Sequence, residues 1–292
     1  IAITVIGFFI CSRGLQNGVE KMSKYMMSCL FIVMLVLVIR AVTLPNAVEG
    51  LKFYLIPDFQ KMMANGLWDA IFAAMGQAFF SLSITGSGMI IYGSYLSKKE
   101  DIPRAAMQTA LLDTCAALLA GFAILPAVFA FGMDPASGPP LIFITLPKVF
   151  AQMPGGRFIA VLFFLSVIFA GITSLINMFE VCAEAVTTHL KLPRKAAVVL
   201  VGALAFAAGA FIEFEPYLGK WMDAITIYVV PFGALLCAFI IYWVLGGKRI
   251  GEELVLGRKK ALCRAFLPTA RYLYVGLAVL VFILSIICGG IG

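Results

Sequence analysis

Seven stretches of the chain, residues 26–44, 66–96, 105–132, 157–188, 195–212, 221–246 and 269–290, are each apolar for long enough to cross a bilayer, and a shorter one covers 1–10. A membrane span needs about 20 mostly apolar residues. No soluble core calls for so many runs of that length. The chain is 62% hydrophobic and 13% charged, against roughly 45–50% and about 25% in soluble domains. Backbone groups facing lipid must be satisfied within their own segment, which leaves α-helix for runs of this kind. The reading is an all-α integral membrane protein with seven complete spans and the tail of an eighth.

The first residue is Ile1, and the opening "IAITVIGFFI" is already lipid-compatible with no basic flank before it. A signal peptide would carry a charged start and a small-residue cleavage site. The expectation is therefore a chain truncated at its N-terminus.

Of the 22 basic residues, sixteen fall in one alternate set of loops or at their edges, among them Arg13, Lys21, Lys98, Lys99, Lys191, Arg194, Lys248, Arg258 and Arg271. The positive-inside rule makes that set cytoplasmic. Residues 45–65, 133–156 and 213–220 are then outside, as is the C-terminus, and the expected location is the inner (plasma) membrane. The net charge of +7 is thus a topology signal and gives no reason to expect nucleic acid as a partner. In the outer stretch 138–156, Pro and Gly punctuate an apolar run too short to span, which suggests a re-entrant or lid-like helical hairpin.

Seven cysteines, Cys11, Cys29, Cys115, Cys182, Cys237, Cys263 and Cys288, stand singly in or beside apolar runs and read as small hydrophobes. The single histidine, His189, sits beside Lys191 at a helix end and does not make an imidazole metal site. The sequence contains no Ser/His/Asp set, phosphate loop or H-E-x-x-H motif, so an enzyme is not expected. Glu180 and Glu184, spaced i, i+4 near a cytoplasmic helix end, read as a hydrated or gate-stabilising face.

The 66–96 run is interrupted by "SLSITGSG", residues 81–88. Glycine costs a helix about 1 kcal/mol relative to alanine, and serine competes for backbone hydrogen bonds. Small residues also serve as a helix-packing face in membranes, so two readings stand. In the second, the segment is unwound at mid-membrane, which is tolerated only where it lines a polar cavity.

Two other features favour the cavity. Asp113, in "ALLDTCAALLAG", lies well inside a span, and an intramembrane carboxylate marks a functional site by default. No basic residue stands at matching depth in the neighbouring spans, so a cation is its natural partner. In "FAGITS", residues 169–174, Thr173 and Ser174 direct hydroxyls back toward the Ala170 carbonyl. A neutral oxygen set of that kind suits Na+ better than Mg2+ or Ca2+, which call for carboxylates. Back-bonding within the helix is the plainer alternative.

Six segments, "SRGLQNGVEKMSK", "GLKFYLIPDFQKM", "GQAFFSLSITGSGMIIYGSYLSKKEDI", "DTCAALLAGFAILPAVFAFG", "PLIFITLPKVFAQMPGG" and "FAGITSLINMFEV", occur in an order and spacing that resemble the neurotransmitter:sodium symporter family, specifically its bacterial amino-acid transporters. The resemblance implies a single transporter domain over 1–292 with an inverted-repeat fold and discontinuous helices, holding an amino acid and two Na+ ions at the midplane. It implies roles for particular residues. Phe80 would be an aromatic lid over the substrate, Ser81 a ligand of the first sodium, and Ser83 a neighbour of the substrate in the unwound stretch. Ala170, Thr173 and Ser174 would hold the second sodium, Ser174 and Met178 would line the substrate pocket, and Asp223 would join Phe80 in an outer gate.

Asp113 stands where the family often has an Asn ligating the first sodium. Chloride-dependent members place an anion beside that ion, near the positions of Gln77 and Ser81. A fixed carboxylate at Asp113 supplies the same charge, so chloride is not expected to be required. Gly86 and Ser87 replace what in some members is a bulky aromatic and a glycine, which widens the pocket toward a large apolar or aromatic amino acid. Some members also carry Gly and Pro ten residues apart at the inner end of the 26–44 helix; here Gly18 is followed by Ser28. The expected function is sodium-coupled amino-acid import by alternating access, with Na+ as coupling ion and no other cofactor. Import of another small amine or zwitterion is the alternative, and a channel a more remote one. The family's broken first helix, which completes the sites, is missing from the chain, so the chain alone is not expected to transport.

Overall fold

A computed structural model describes residues 19–64, 66–84, 88–135, 141–212, 217–258 and 263–288. Among the described residues every regular element is helical. In chain order they are α1 (Lys21–Val42), α2 (Ala47–Leu55), α3 (Phe59–Ala64), α4 (Leu67–Ser81), α5 (Gly88–Ser94), α6 (Ile102–Ala130), α7 (Leu141–Gln152), α8 (Gly156–Leu190), α9 (Arg194–Ile212), α10 (Tyr217–Val244), α11 (Gly247–Val255) and α12 (Phe266–Ile287). Six of them, α1, α6, α8, α9, α10 and α12, are long and apolar enough to cross a membrane. The remaining expected span, 66–96, is two shorter helices, α4 and α5, and the partial span at 1–10 lies outside the described residues. The chain is a multi-pass membrane protein.

The chain forms two compact units, Ile1–Phe59 with Thr114–Gly202 and Gln60–Asp113 with Ala203–Gly292. In the first unit, Val33, Leu37 and Ala41 recur at four-residue spacing on α1. They form a core with Ala123 and Ala127 of α6, Leu146, Val149 and Phe150 of α7, and Ile159 and Phe163 of α8. One turn repeats onto the next at this spacing, so a single helix face carries the whole contact. A second cluster joins Met26 of α1 to Ile172, Ile176, Phe179 and Ala183 of α8.

The segment α7, expected as part of a helical hairpin over 138–156, is one helix among the described residues; residues 138–140 lie outside them. It is anchored by the buried Leu146, Val149 and Phe150.

Glycine decides how closely α2 approaches α6. A Cβ on Gly50 would come within 2.7 Å of the Leu125 carbonyl oxygen and the Pro126 Cα, and one on Gly121 within 2.2 Å of the Tyr54 ring. The Tyr54 hydroxyl reaches the Ala117 carbonyl at 3.4 Å. Burial pushes the Tyr54 phenol above its ordinary value.

In the second unit, Phe79 packs with Ala234 and Ala238 of α10 and Val275, Ala278 and Val281 of α12. Helix α10 widens to a π-helical turn at Ile225–Val229, just ahead of Pro231. Proline has no N–H to give the carbonyl four residues back, which here is that of Ile227. The hydroxyl of the buried Ser285 on α12 donates to that carbonyl at 2.9 Å. The polar group is thereby satisfied inside an apolar pair of spans.

Candidate functional site

Helix α4 stops at Ser81 for a reason written in its hydrogen bonds. Ser83 adopts a left-handed conformation, φ 53°. Its N–H donates to the Phe80 carbonyl at 3.0 Å, and the Ile84 N–H donates to the Phe79 carbonyl at 3.1 Å. These two bonds make a Schellman motif. The accompanying apolar contact is present as well, since Ile84 packs on the cluster that holds the buried Phe79. Serine replaces the usual glycine at the left-handed position, at a cost of roughly 1–2 kcal/mol.

The motif satisfies the carbonyls of Phe79 and Phe80 and leaves those of Ser81 and Leu82 without a partner within it. Those carbonyls form the negative end of the α4 dipole. The Ser81 hydroxyl turns to Asp113 of α6 and donates to its Oδ2. Asp113 lies eleven residues into α6, roughly 16 Å along the helix at 1.5 Å per residue, about half the thickness of a hydrocarbon core. It is half-buried and, among the described residues, has no basic partner. A carboxylate and a hydroxyl thus meet in the second unit, at the end of the helix whose Ser81 and Leu82 carbonyls the motif leaves over. All of these are hard oxygen donors. Phe80, beside Ser81, is 60% exposed. Gly86 and Ser87 lie outside the described residues.

The second cluster belongs to the first unit. On α8 the Thr173 hydroxyl shares its proton between the carbonyls of Phe169 and Ala170, both at 2.9 Å. Its lone pairs then point away from the helix backbone. Thr173 is buried, and Met27 of α1 brings its sulfur to 3.7 Å of the hydroxyl. Ala170, Ser174 and Met178 recur every four residues on one face of α8, and Ser174 and Met178 are exposed. Hydroxyl back-bonding, the plainer alternative, occurs at Thr173. It consumes the proton and leaves oxygen lone pairs available.

Asp223 is exposed on α10, two residues before the π-helical turn. Of the two glutamates on α8, Glu180 is fully buried and pairs with the Arg194 guanidinium at 2.5 Å. The hydrated reading therefore fails for Glu180. Arg194 opens α9 after a three-residue connection, so the sequence places a basic residue near both glutamates without choosing between them. Met27 had no signal in the sequence, because only the packing of α1 on α8 brings it to Thr173.

The profile described as the sodium:neurotransmitter symporter family matches residues 1–288. The sodium-dependent transporter YhdH of Bacillus subtilis is 35% identical over 302 residues, covering 98% of this chain and 65% of its own. A sodium-dependent transporter of Methanocaldococcus jannaschii, MJ1319, is 33% identical over 268 residues, covering 87% and 53%. The crystal structure of MhsT in complex with L-phenylalanine superposes with a TM-score of 0.82 at 29% identity, covering 98% of this chain and 66% of that one. The chain spans about two thirds or less of the length of these relatives. Matched by the family profile over residues 1–288 and by a relative 35% identical over 98% of its length, the chain belongs to the sodium:neurotransmitter symporter family.

Proposed function

We propose that the protein is a sodium-coupled amino-acid symporter whose first sodium site is built on Ser81 and Asp113. The observation that carries the reading is the meeting of the Ser81 hydroxyl and the Asp113 carboxylate at the C-terminal end of α4. A carboxylate at a helix centre costs roughly 2.5–3.5 kcal/mol on insertion scales. A hydroxyl partner offsets only part of that, and a monovalent cation offsets the rest. The names of the relatives, sodium-dependent transporters, support Na+ as that cation.

Ala170, Thr173 and Ser174 are the proposed second sodium site. Phe80, Ser81, Ser83, Gly86, Ser87, Ser174 and Met178 line the substrate, and Phe80 and Asp223 form the outer gate. Residues 1–292 act as one transporter domain within a protein that includes a further broken helix. The substrate is a large apolar or aromatic amino acid, a choice supported by Gly86 and Ser87 in the pocket stretch and by the phenylalanine bound to MhsT. Coupling arises because substrate carboxylate and Asp113 share one ion, so that each raises the affinity of the other by the same factor. The Asp113 charge removes the need for chloride. The protein lies in the inner membrane with its C-terminus outside.

The test is binding of labelled tryptophan and leucine to protein expressed from its complete reading frame, in NaCl, sodium gluconate and KCl. Saturable binding in both sodium salts and its loss in KCl is the expected result. Binding indifferent to sodium would overturn the mechanism, and displacement by glycine or alanine ahead of leucine or tryptophan would overturn the substrate class.

A further inference from the structure

Arg271 is the one charged residue of α12. An ionisable side chain in an apolar span calls for a partner, and among the described residues Arg271 has no carboxylate partner. What holds it is aromatic. Its guanidinium lies 4.4 Å from the centre of the Trp243 ring and 6.0 Å from that of Tyr272. The Trp243 indole N–H donates to the Arg271 backbone carbonyl at 3.3 Å, which closes the clamp from the other side. Stacking orients a guanidinium by its face and uses none of its N–H donors. The Arg271 Nε is buried without a hydrogen-bond acceptor. The clamp therefore fixes the plane of the guanidinium and leaves its Nε–H without an acceptor among the described residues.

The clamp stands at the ends of two spans: Trp243 is the penultimate residue of α10, and Arg271 follows the start of α12 by five residues. Trp243 and Tyr272 are 41% and 65% exposed, the placement of an interfacial aromatic belt. Helix α11 adds charge. Cβ atoms placed on Gly247 and Gly251 would lie 3.6 Å from Leu267, one helical turn before Arg271, which brings the basic start of α11 to the same rim. Residues 248–271 hold seven basic side chains against two acidic ones, Glu252 and Glu253, both exposed on α11. The basic loops mark this rim as the cytoplasmic one.

We propose that Arg271, clamped on Trp243, is the phosphate-binding group of a site for anionic phospholipid headgroups at this rim. A planar guanidinium matches two phosphate oxygens. The exposed apolar side chains Val244 and Leu245 beside the clamp suit the acyl chains of a lipid and offer nothing to a soluble anion. Basic pockets between spans on the cytoplasmic side recognise headgroups by this chemistry.

The test uses the whole protein reconstituted with brominated phosphatidylglycerol or brominated phosphatidylcholine. Bromine quenches nearby tryptophan, and the Trp243 signal is the difference between wild type and Trp243→Phe. The expected result is severalfold stronger quenching of Trp243 by phosphatidylglycerol, lost in Arg271→Gln and reduced by high salt, with added glycerol 3-phosphate having no effect. Equal quenching of wild type by the two lipids would overturn the site, and this arm needs no charge variant to fold. A preference unchanged in Arg271→Gln would also overturn it, as would displacement of the lipid by glycerol 3-phosphate, which would make it a free-anion site.

Discussion

The Ser81 hydroxyl donates to the Asp113 carboxylate across 32 residues of sequence, at the C-terminal end of α4. If the carboxylate supplies the charge that other members take from chloride, Asp113→Asn removes it while retaining the shape. Sodium affinity should fall about tenfold, equivalent to about 1.4 kcal/mol, or binding should become chloride-dependent. Sodium titrations of the variant in chloride and gluconate salts measure both. Unchanged affinity with chloride still irrelevant would separate Asp113 from the ion.

Ser83 tests the helix break itself. Its φ of 53° is tolerated by glycine at no steric cost. Ser83→Gly should leave the melting temperature the same or slightly higher, whereas Ser83→Val, β-branched at a left-handed position, should lower it by the equivalent of about 1–3 kcal/mol. If substrate affinity falls in Ser83→Gly without loss of stability, the hydroxyl acts on substrate and not on the backbone.

Arg194→Ala leaves the Glu180 carboxylate buried without its guanidinium. Loss of one partner of a buried pair costs about 3–5 kcal/mol, while replacing both with apolar groups is often neutral. Thermal melting in detergent should therefore show a large loss for Arg194→Ala and substantial recovery in Glu180→Leu/Arg194→Met. A double variant as unstable as the single one would mean that the pair is more than an ion pair in isolation.

Gly50 and Gly121 face different obstacles. The Gly121 Cβ would meet a Tyr54 side chain, which can be cut back, whereas the Gly50 Cβ would meet the backbone of Leu125 and Pro126. Gly121→Ala should be rescued by Tyr54→Ala, and Gly50→Ala should stay destabilised by about 1–3 kcal/mol whatever is done at Tyr54. Melting temperatures of the two double variants decide it.

The raised Tyr54 pKa has a pH consequence. An acid held more tightly in the folded state contributes stability that is fully present below its unfolded value, about 10, and lost as pH rises through the folded one. Difference absorbance of tyrosinate between wild type and Tyr54→Phe should titrate above that value, and the stability gap between them should close at the alkaline end.

The sequence by itself determined where the spans lie, that the 66–96 run breaks near its middle, and which loops carry the basic charge. These are properties of length, polarity and local backbone preference, and bilayer thickness reads them directly. It also carried the family through ordered motifs. It did not determine which partners the polar residues find. Ser81 with Asp113, Arg194 with Glu180 rather than Glu184, Met27 beside Thr173, and Arg271 over Trp243 all depend on how one helix is rotated against another. That rotation is set by side-chain packing over many turns, such as Val33, Leu37 and Ala41 in the α1 face, and no single position reveals it. The stretch 138–156 shows the same limit. Its punctuation suggested a hairpin, and only the burial of Leu146, Val149 and Phe150 shows a packed helix at 141–152.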